Sequence, residues 1–310
     1  MHADARGPRE PLQDLDLELA RQLRKRPAAA QRIPGNGQIP VGSLIEPFDV
    51  LFEADLPRYD LPQDLERIYG RLGFAERAVY SNFVTSLDGV VSLGSHPSAG
   101  SVISGRNQPD RFLMGLLRAC ADAVLLGAGT LRATPGHQWT PEHIYPDLAA
   151  SFARLRAGLG RKAQPRLFVL TSRGDVDLSH PALAGGATIV TTSTVAATLR
   201  GSLPGSCDVM EAGERGPVDL ARALDAMREG GYAVILTEGG PHVLGELLDR
   251  KLLDEAFVTI SPVVAGRDGD ERLGMVAGVE LLPEKGAWTR MLSARRHGDF
   301  LFLRYDLRPS

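Results

Sequence analysis

The chain has 310 residues, 43% of them hydrophobic and 24% charged, which is ordinary for a soluble globular protein and leaves room for one large domain or two small ones. A formal net charge of −3 gives no electrostatic footprint for nucleic acid or an anionic membrane, and no apolar run is long enough to span a bilayer. Two cysteines, Cys120 and Cys207, are too few for a disulfide framework or a thiolate metal site, and the charged N-terminus lacks an apolar signal core, so a cytoplasmic protein is expected.

In chain order, Leu12, Leu15, Leu19 and Leu23 predict a short amphipathic helix over 12–26, followed by a Pro/Gly-rich stretch at 33–40. Residues 1–45 are expected to be a weakly ordered tail and linker, and 46–76 a lead-in that packs on a domain spanning 77–310. Ala78–Val84 reads as a strand whose end and following turn bring Asn82, Ser86 and Asp88 toward one mouth. A helix is expected at 108–121, with Pro109 in its first turn, Asp110 near its positive end and Cys120 in its apolar stripe. Next come a strand at 123–126 with the turn Gly127–Thr130, and a surface helix at 146–158. Strands at 166–170 and 187–190 follow, the first ending in Thr171-Ser172-Arg173. A helix at 217–229 stops at Gly230-Gly231, and a buried strand at 234–236 runs into Thr237-Glu238-Gly239-Gly240-Pro241 and a further helix. Segments 257–260 and 261–264 continue the sheet, and 288–294 with 300–305 form an antiparallel hairpin. Strands alternating with helices, then antiparallel strands, give an α/β domain with a mixed sheet.

Ligands in open α/β sheets gather at the carboxyl ends of strands, and three successive strands here end in small or hydroxyl residues. Ser172 and Arg173 side by side make a good phosphate clamp. The dinucleotide fingerprint fails, because Gly127 and Gly129 fit but Arg132 stands where a small residue must pack helix on strand. Neither a P-loop nor a G-x-S-x-G elbow is present. His137 and His143 lack a ligand partner set, so no metal site is expected. Asp254-Glu255 reads as a structural turn or a subunit contact.

The ordered set Asn82-Phe83-Val84-Thr85-Ser86-Leu87-Asp88-Gly89, Gly127-Ala128-Gly129-Thr130, Thr171-Ser172-Arg173, Thr237-Glu238-Gly239-Gly240-Pro241, Leu253-Asp254-Glu255 and Ile260–Gly266 resembles the reductase domain of riboflavin biosynthesis, over about Tyr80 to Tyr305. The resemblance implies a dihydrofolate reductase-like three-layer fold, with a mixed, mostly parallel sheet and a C-terminal antiparallel hairpin. It implies an NADPH-dependent reductase that transfers hydride to a ribosylaminopyrimidine phosphate of the 5-amino-6-ribosylaminouracil phosphate type. Carried over, Gly129, Thr130 and Thr134 contact the cofactor, Ser172 and Arg173 its 2′-phosphate, and Gly239, Gly240 and Pro241 its pyrophosphate. A cis peptide between Gly239 and Gly240 is implied, as in the related dihydrofolate reductases. Asn82, Ser86, Asp88 and Glu238 surround the substrate, with Asp88 and Glu238 as candidate catalytic carboxylates. A homodimer is expected by analogy with the family.

Two features depart from that pattern. The H-x-E and P-C-x-x-C signature of a zinc-dependent deaminase does not occur. The acidic pair that usually follows the glycine–threonine turn is replaced by Leu131-Arg132-Ala133-Thr134-Pro135. The alternatives left open are reduction of dihydrofolate or another pterin-like molecule, and a non-catalytic NADP-binding protein.

Overall fold

In the computed structural model, residues 45–94, 98–267 and 271–308 are described; the helix expected over 12–26 and nearly all of the expected tail lie outside them. The lead-in carries strand β1 (Asp49–Glu53) and helix α1 (Gln63–Tyr69). The chain then runs through β2 (Ala78–Thr85), α2 (Ala99–Ile103), α3 (Gln108–Cys120), β3 (Ala123–Gly127), α4 (Ala128–Ala133), α5 (Pro141–Ile144) and α6 (Ala149–Gly158). β4 (Arg166–Leu170), β5 (Ala187–Thr191), α7 (Ser193–Leu199), β6 (Asp208–Glu211), α8 (Leu220–Glu229), β7 (Val234–Thr237) and α9 (Pro241–Asp249) come next. β8 (Glu255–Ile260), β9 (Arg290–His297) and β10 (Phe300–Asp306) complete it.

The ten strands form one sheet in the order β1-β9-β10-β8-β2-β7-β3-β4-β5-β6. From β8 to β6 all neighbours are parallel, whereas β10, β9 and β1 add an antiparallel flank. Side chains of the central strands alternate between two apolar layers, as the two-residue period of a strand requires. Tyr80, Val124 and Leu126 pack with Phe112 and Leu116 of α3 and Phe152 of α6. Val79, Leu125 and Ile235 pack on the other face with Leu224 and Met227 of α8 and Leu247 of α9. This is the three-layer α/β architecture expected, with helices on both faces of a mostly parallel sheet.

Three local devices fix these elements in place. α3 starts at Asn107, whose side-chain oxygen accepts from the Asp110 amide at 3.0 Å, with Pro109 in the first turn. Its buried C-terminal end is closed by Arg156 of α6, whose Nη1 donates to the carbonyls of Arg118, Ala119 and Ala121. The surface helix expected over 146–158 begins as a 3₁₀ turn at 146–148; it exposes Ala153, Arg154 and Ala157 and braces the core with its buried face, Phe152, Leu155 and Arg156. Along the same amino edge of the parallel strands, Asp254 accepts from the Val79 amide at 2.7 Å, and Glu255 is paired in the interior with Arg304, so this carboxylate pair is structural.

Segment 261–264 is not a strand. The Ser261 amide still donates to Thr85 at 2.8 Å, but Pro262 has no amide hydrogen to extend the ladder. β1 and β6 join the sheet as its two edges without having been expected. Both are short, and every residue of β1 from Asp49 to Phe52 is exposed, so the alternation that reveals a half-buried strand is missing.

Candidate active site

β2 pairs with β7 only as far as Ser81 and Thr237, but continues to Thr85 beside β8. Beyond Thr237 the chain swings away through Glu238, Gly239 and Gly240 into α9, leaving Asn82, Phe83 and Val84 without a neighbour on that side. A cavity of about 260 Å³ opens there, at the carboxyl ends of β2, β7 and β3. Glu238, Gly239, Gly240 and Pro241 form one wall, Thr130 and Thr134 another, and Asp110, Arg111, Met114 and Arg118 of α3 the floor.

The glycines serve different needs. A Cβ on Gly239 would lie 2.8 Å from Cβ and Cγ1 of Val243, so Gly239 allows α9 to pack directly behind the turn. A Cβ on Gly240 would meet only Thr130 Oγ1, at 3.6 Å, and one on Gly129 would meet nothing within 4 Å. Gly240 is extended (φ −70°, ψ 177°) and leads directly into Pro241, and no side chain caps the amides of the first turn of α9. The peptide between Gly239 and Gly240 is trans, against the expectation of a cis bond. The extended Gly240 delivers the chain to the helix without one, and Leu282–Pro283 is the cis peptide among the described residues.

Glu238 is held by Arg118. The guanidinium donates from Nε to Oε1 at 2.9 Å and from Nη2 to Oε2 at 2.6 Å, a bidentate pair whose arginine side chain is 1% and glutamate side chain 10% exposed. The same guanidinium donates to the carbonyls of Gln138 and Thr140 and lies 2.9 Å from His137 Nε2. Burial, followed by the positive charge of Arg118, pushes the His137 imidazole down to about 2, so the ring is neutral and Nε2 accepts from Arg118 with the ring proton on Nδ1.

The second carboxylate of the cavity is Asp110. Burial raises it to about 6, and the Glu238 carboxylate adds to that rise. The hydroxyls of Thr259 and Ser104 and the charge of Arg111 act in the opposite sense. The expectation for this residue stopped at a favourable helix-dipole position. Arg118 and His137 were missed as site residues for a comparable reason: an arginine in a helix and an isolated histidine carry no local signal for a contact 120 residues away in the chain or 19. The raised carboxyl, by contrast, depends on burial that no spacing rule reports.

Of the residues expected around the ligands, Asn82, Thr130, Thr134, Glu238, Gly239, Gly240 and Pro241 line the cavity. Ser86 and Asp88 do not. Asp88 accepts from the Ala265 and Gly266 amides at 2.9 and 2.8 Å and from Ser86 Oγ at 2.6 Å, and the Ser86 hydroxyl with these amides holds its carboxyl down to about 2. Ser86 and Asp88, expected beside the substrate, thus stand outside the cavity, with Asp88 accepting from loop amides. Both are committed to a turn that ties the loop after β2 to the loop after β8. Gly129 is exposed just outside the cavity, and Ser172 and Arg173 are exposed beyond β4, on the same edge of the sheet. Arg132 turns outward to pair with Asp175 at 3.0 Å.

A mostly parallel α/β sheet with a cavity at its carboxyl edge, uncapped helix amides on one side and buried carboxylates on the other, is the architecture of an α/β protein built to bind a small molecule. The chain belongs to the RibD C-terminal domain family, whose model matches residues 77–285, and is an oxidoreductase of the riboflavin-biosynthesis type. It is 28% identical over 196 residues to the 2,5-diamino-6-ribosylamino-4(3H)-pyrimidinone 5′-phosphate reductase of Archaeoglobus fulgidus, covering 61% of this chain and 83% of that one. Among solved structures it resembles a pyrimidine reductase-like protein from Corynebacterium diphtheriae (TM-score 0.60, 20% identity, 79% of this chain and 99% of that one). It also resembles RibD of Acinetobacter baumannii (TM-score 0.55, 18% identity, 75% of this chain), of which it spans 58%.

Proposed function

We propose that the protein is an NADPH-dependent reductase of a ribosylaminopyrimidine phosphate, whose sugar is opened and reduced to a ribityl chain. The observation that carries this reading is one cavity with two chemically different sides. On the first, the uncapped amides of α9, the open surface at Gly129 and Gly240, and the hydroxyls of Thr130 and Thr134 suit a dinucleotide. Bare helix amides and glycines without a Cβ are what a pyrophosphate needs for close approach. Ser172 and Arg173, exposed and free of the cavity, are the proposed partners of the 2′-phosphate. When bound, the cofactor supplies a hydride.

The other side holds Asn82, Asp110 and Glu238, with Arg106 and Arg111 also lining the cavity. A planar ring with amino and oxo groups matches the carboxylates and the Asn82 amide, and a sugar phosphate matches the two arginines. The relative from Archaeoglobus fulgidus is named for a substrate with both features. Hydride transfer needs no protein nucleophile; it needs donor and acceptor aligned and held. Glu238 is suited to holding because Arg118 fixes both of its oxygens, which leaves its remaining lone pairs as rigid acceptors for substrate N–H or O–H groups.

Oxidation of NADPH, followed by absorbance, with the ribosylaminopyrimidine phosphate tests this directly, and turnover is expected. Dihydrofolate belongs in the same assay, since a buried carboxylate facing the cavity also suits a pterin. Cofactor binding without turnover of either compound would overturn the enzymatic reading in favour of an NADP-binding protein. A homodimer in the cytoplasm belongs to the same proposal. It is supported by β1, the terminal strand of the sheet, which exposes Val50, Leu51 and Phe52; sedimentation would detect the dimer. No helix among the described residues is long and apolar enough to cross a membrane.

A further inference from the structure

His137 stands where the two sides of the cavity meet. The loop that carries it continues the wall of Thr130 and Thr134, and Arg118 ties it to Glu238 on the other side. One nitrogen of that guanidinium, Nη2, lies 2.6 Å from Glu238 Oε2 and 2.9 Å from His137 Nε2. A guanidinium has no lone pair to offer, so Nε2 accepts and the ring proton is on Nδ1. Trp139 and His143 pack on the ring nearly at right angles, with centroids 5.0 and 4.9 Å away, so the imidazole has little room to turn. Among the described residues Nδ1 has no hydrogen-bond partner, and it is not one of the buried side-chain atoms left without one. An oriented N–H in a cavity wall is completed by a ligand that brings an acceptor.

We propose that His137 is a further catalytic residue of the reduction: a fixed, uncharged N–H donor to the sugar-ring oxygen of the ribosylamine as that ring opens. This rests on the proposed reductase activity and adds a residue to it. In the opening step the nitrogen lone pair forms a C=N⁺ bond to the anomeric carbon. The bond from that carbon to the ring oxygen breaks, and the oxygen takes a proton from solvent. Hydride from the cofactor then reduces the C=N⁺ carbon. Negative charge gathers on the ring oxygen as its bond breaks, and a donor already in place stabilises it without reorganisation. Arg118 cannot do this directly, because Glu238, His137 and the carbonyls of Gln138 and Thr140 occupy its N–H groups. It acts through the ring instead: donation into Nε2 polarises the imidazole and strengthens the Nδ1 N–H as a donor.

The groups around the ring set how the step responds to pH. Burial and the neighbouring Arg118, His143, Arg111 and His180 all disfavour a positive imidazole, which is held down to about 2. The carboxylate on the same guanidinium, Glu238 after β7, is paired with Arg118. His137 is therefore neutral throughout the working range of pH. It holds the oxygen and keeps its own proton, since an imidazolate would be far too costly. A histidine acting as a general acid would give the rate a limb near about 6.5, and none is expected from His137.

Two variants split the two roles of the ring. In His137→Gln the amide oxygen can reach Arg118 in place of Nε2, but the Nδ1 donor is lost. In His137→Asn the amide nitrogen stands near the place of Nδ1 and keeps the donor. The test measures kcat and KM for the ribosylaminopyrimidine phosphate in both, with NADPH affinity and thermal melting as controls. His137→Gln should lose about 10²–10³-fold in kcat, the usual cost of removing one preorganised donor, with NADPH affinity and melting close to native. His137→Asn should stay within about tenfold of the native kcat. Nitrogen NMR of the native imidazole should find the proton on Nδ1, with a resonance that moves when substrate is added and not with NADPH alone. A kcat for His137→Gln within about threefold of native, His137→Asn no more active than His137→Gln, or a proton on Nε2 would overturn the inference and leave the reductase reading intact. If either variant fails to fold, the native tautomer and its response to substrate decide alone. No turnover by the native protein overturns both readings.

Discussion

Replacing Arg118 with methionine tests the arrangement on which the site depends. The guanidinium is 1% exposed and makes two short bonds to a carboxylate that is itself only 10% exposed. At an effective dielectric of 20, unit charges about 4 Å apart attract by about 4 kcal/mol. Methionine restores the apolar volume of the stem but leaves Glu238 without a counter-charge, and it also abandons the carbonyls of Gln138 and Thr140. Breaking a buried pair from one side costs about 3–5 kcal/mol, so Arg118→Met should lose that much in urea denaturation. Adding Glu238→Gln to it should recover a substantial part, because the stranded charge is then gone. His137, freed of the neighbouring positive charge, should titrate at higher pH than in the native protein, which NMR of the imidazole would detect. A loss of less than about 1 kcal/mol for Arg118→Met, or a double variant less stable than either single one, would refute the view that Glu238 is a held charge.

Burial raises Asp110 from 3.8 to about 6, so the folded protein binds that proton more tightly than the unfolded chain. The stability this confers is whole below about pH 4 and is lost as the pH rises through 6. At about 1.4 kcal/mol per pH unit, Asp110→Asn should be more stable than the native protein by up to about 3 kcal/mol above pH 6, and the gap should close toward pH 4; a gap independent of pH would contradict the burial argument. Gly239→Ala should destabilise by about 1–3 kcal/mol through collision with Val243, and Val243→Ala in the same chain should relieve it in thermal melts. Asp88→Asn should speed hydrogen exchange at the Ala265 and Gly266 amides with little change in NADPH affinity; unchanged exchange would show that Asp88 does not hold the two loops together. Arg173→Ala should weaken NADPH far more than NADH, and equal effects on both would remove Arg173 from the 2′-phosphate.

The elements visible in the sequence were those with strong local signals. The strand at 166–170 and the helix beginning at Gln108 stand where expected, because an unbroken apolar run and a capped, proline-started amphipathic stretch are each decided within a few residues. β1 escaped notice because an exposed edge strand is defined by its partner, β9, which lies more than 200 residues further along the chain. Glu238 and the glycines after it were legible as a turn at the end of a buried strand. That Arg118 holds Glu238 was not, since nothing in a helix marks which side chain will face a strand end 120 residues away.

The sequence by itself determined the α/β class, the family and the placement of the strand-end turns, all of which rest on periodicity, turn chemistry and the order of short motifs. Only the tertiary structure decided which carboxylates line the cavity. Asp88 and Asp110 are both aspartates close to a turn or a helix start, and equally plausible when read in one dimension. One spends its oxygens on loop amides at the surface; the other is buried in the cavity floor beside the hydroxyls of Thr259 and Ser104. Burial and hydrogen-bond partners come from chain segments far apart in sequence, and they settle what each aspartate can do.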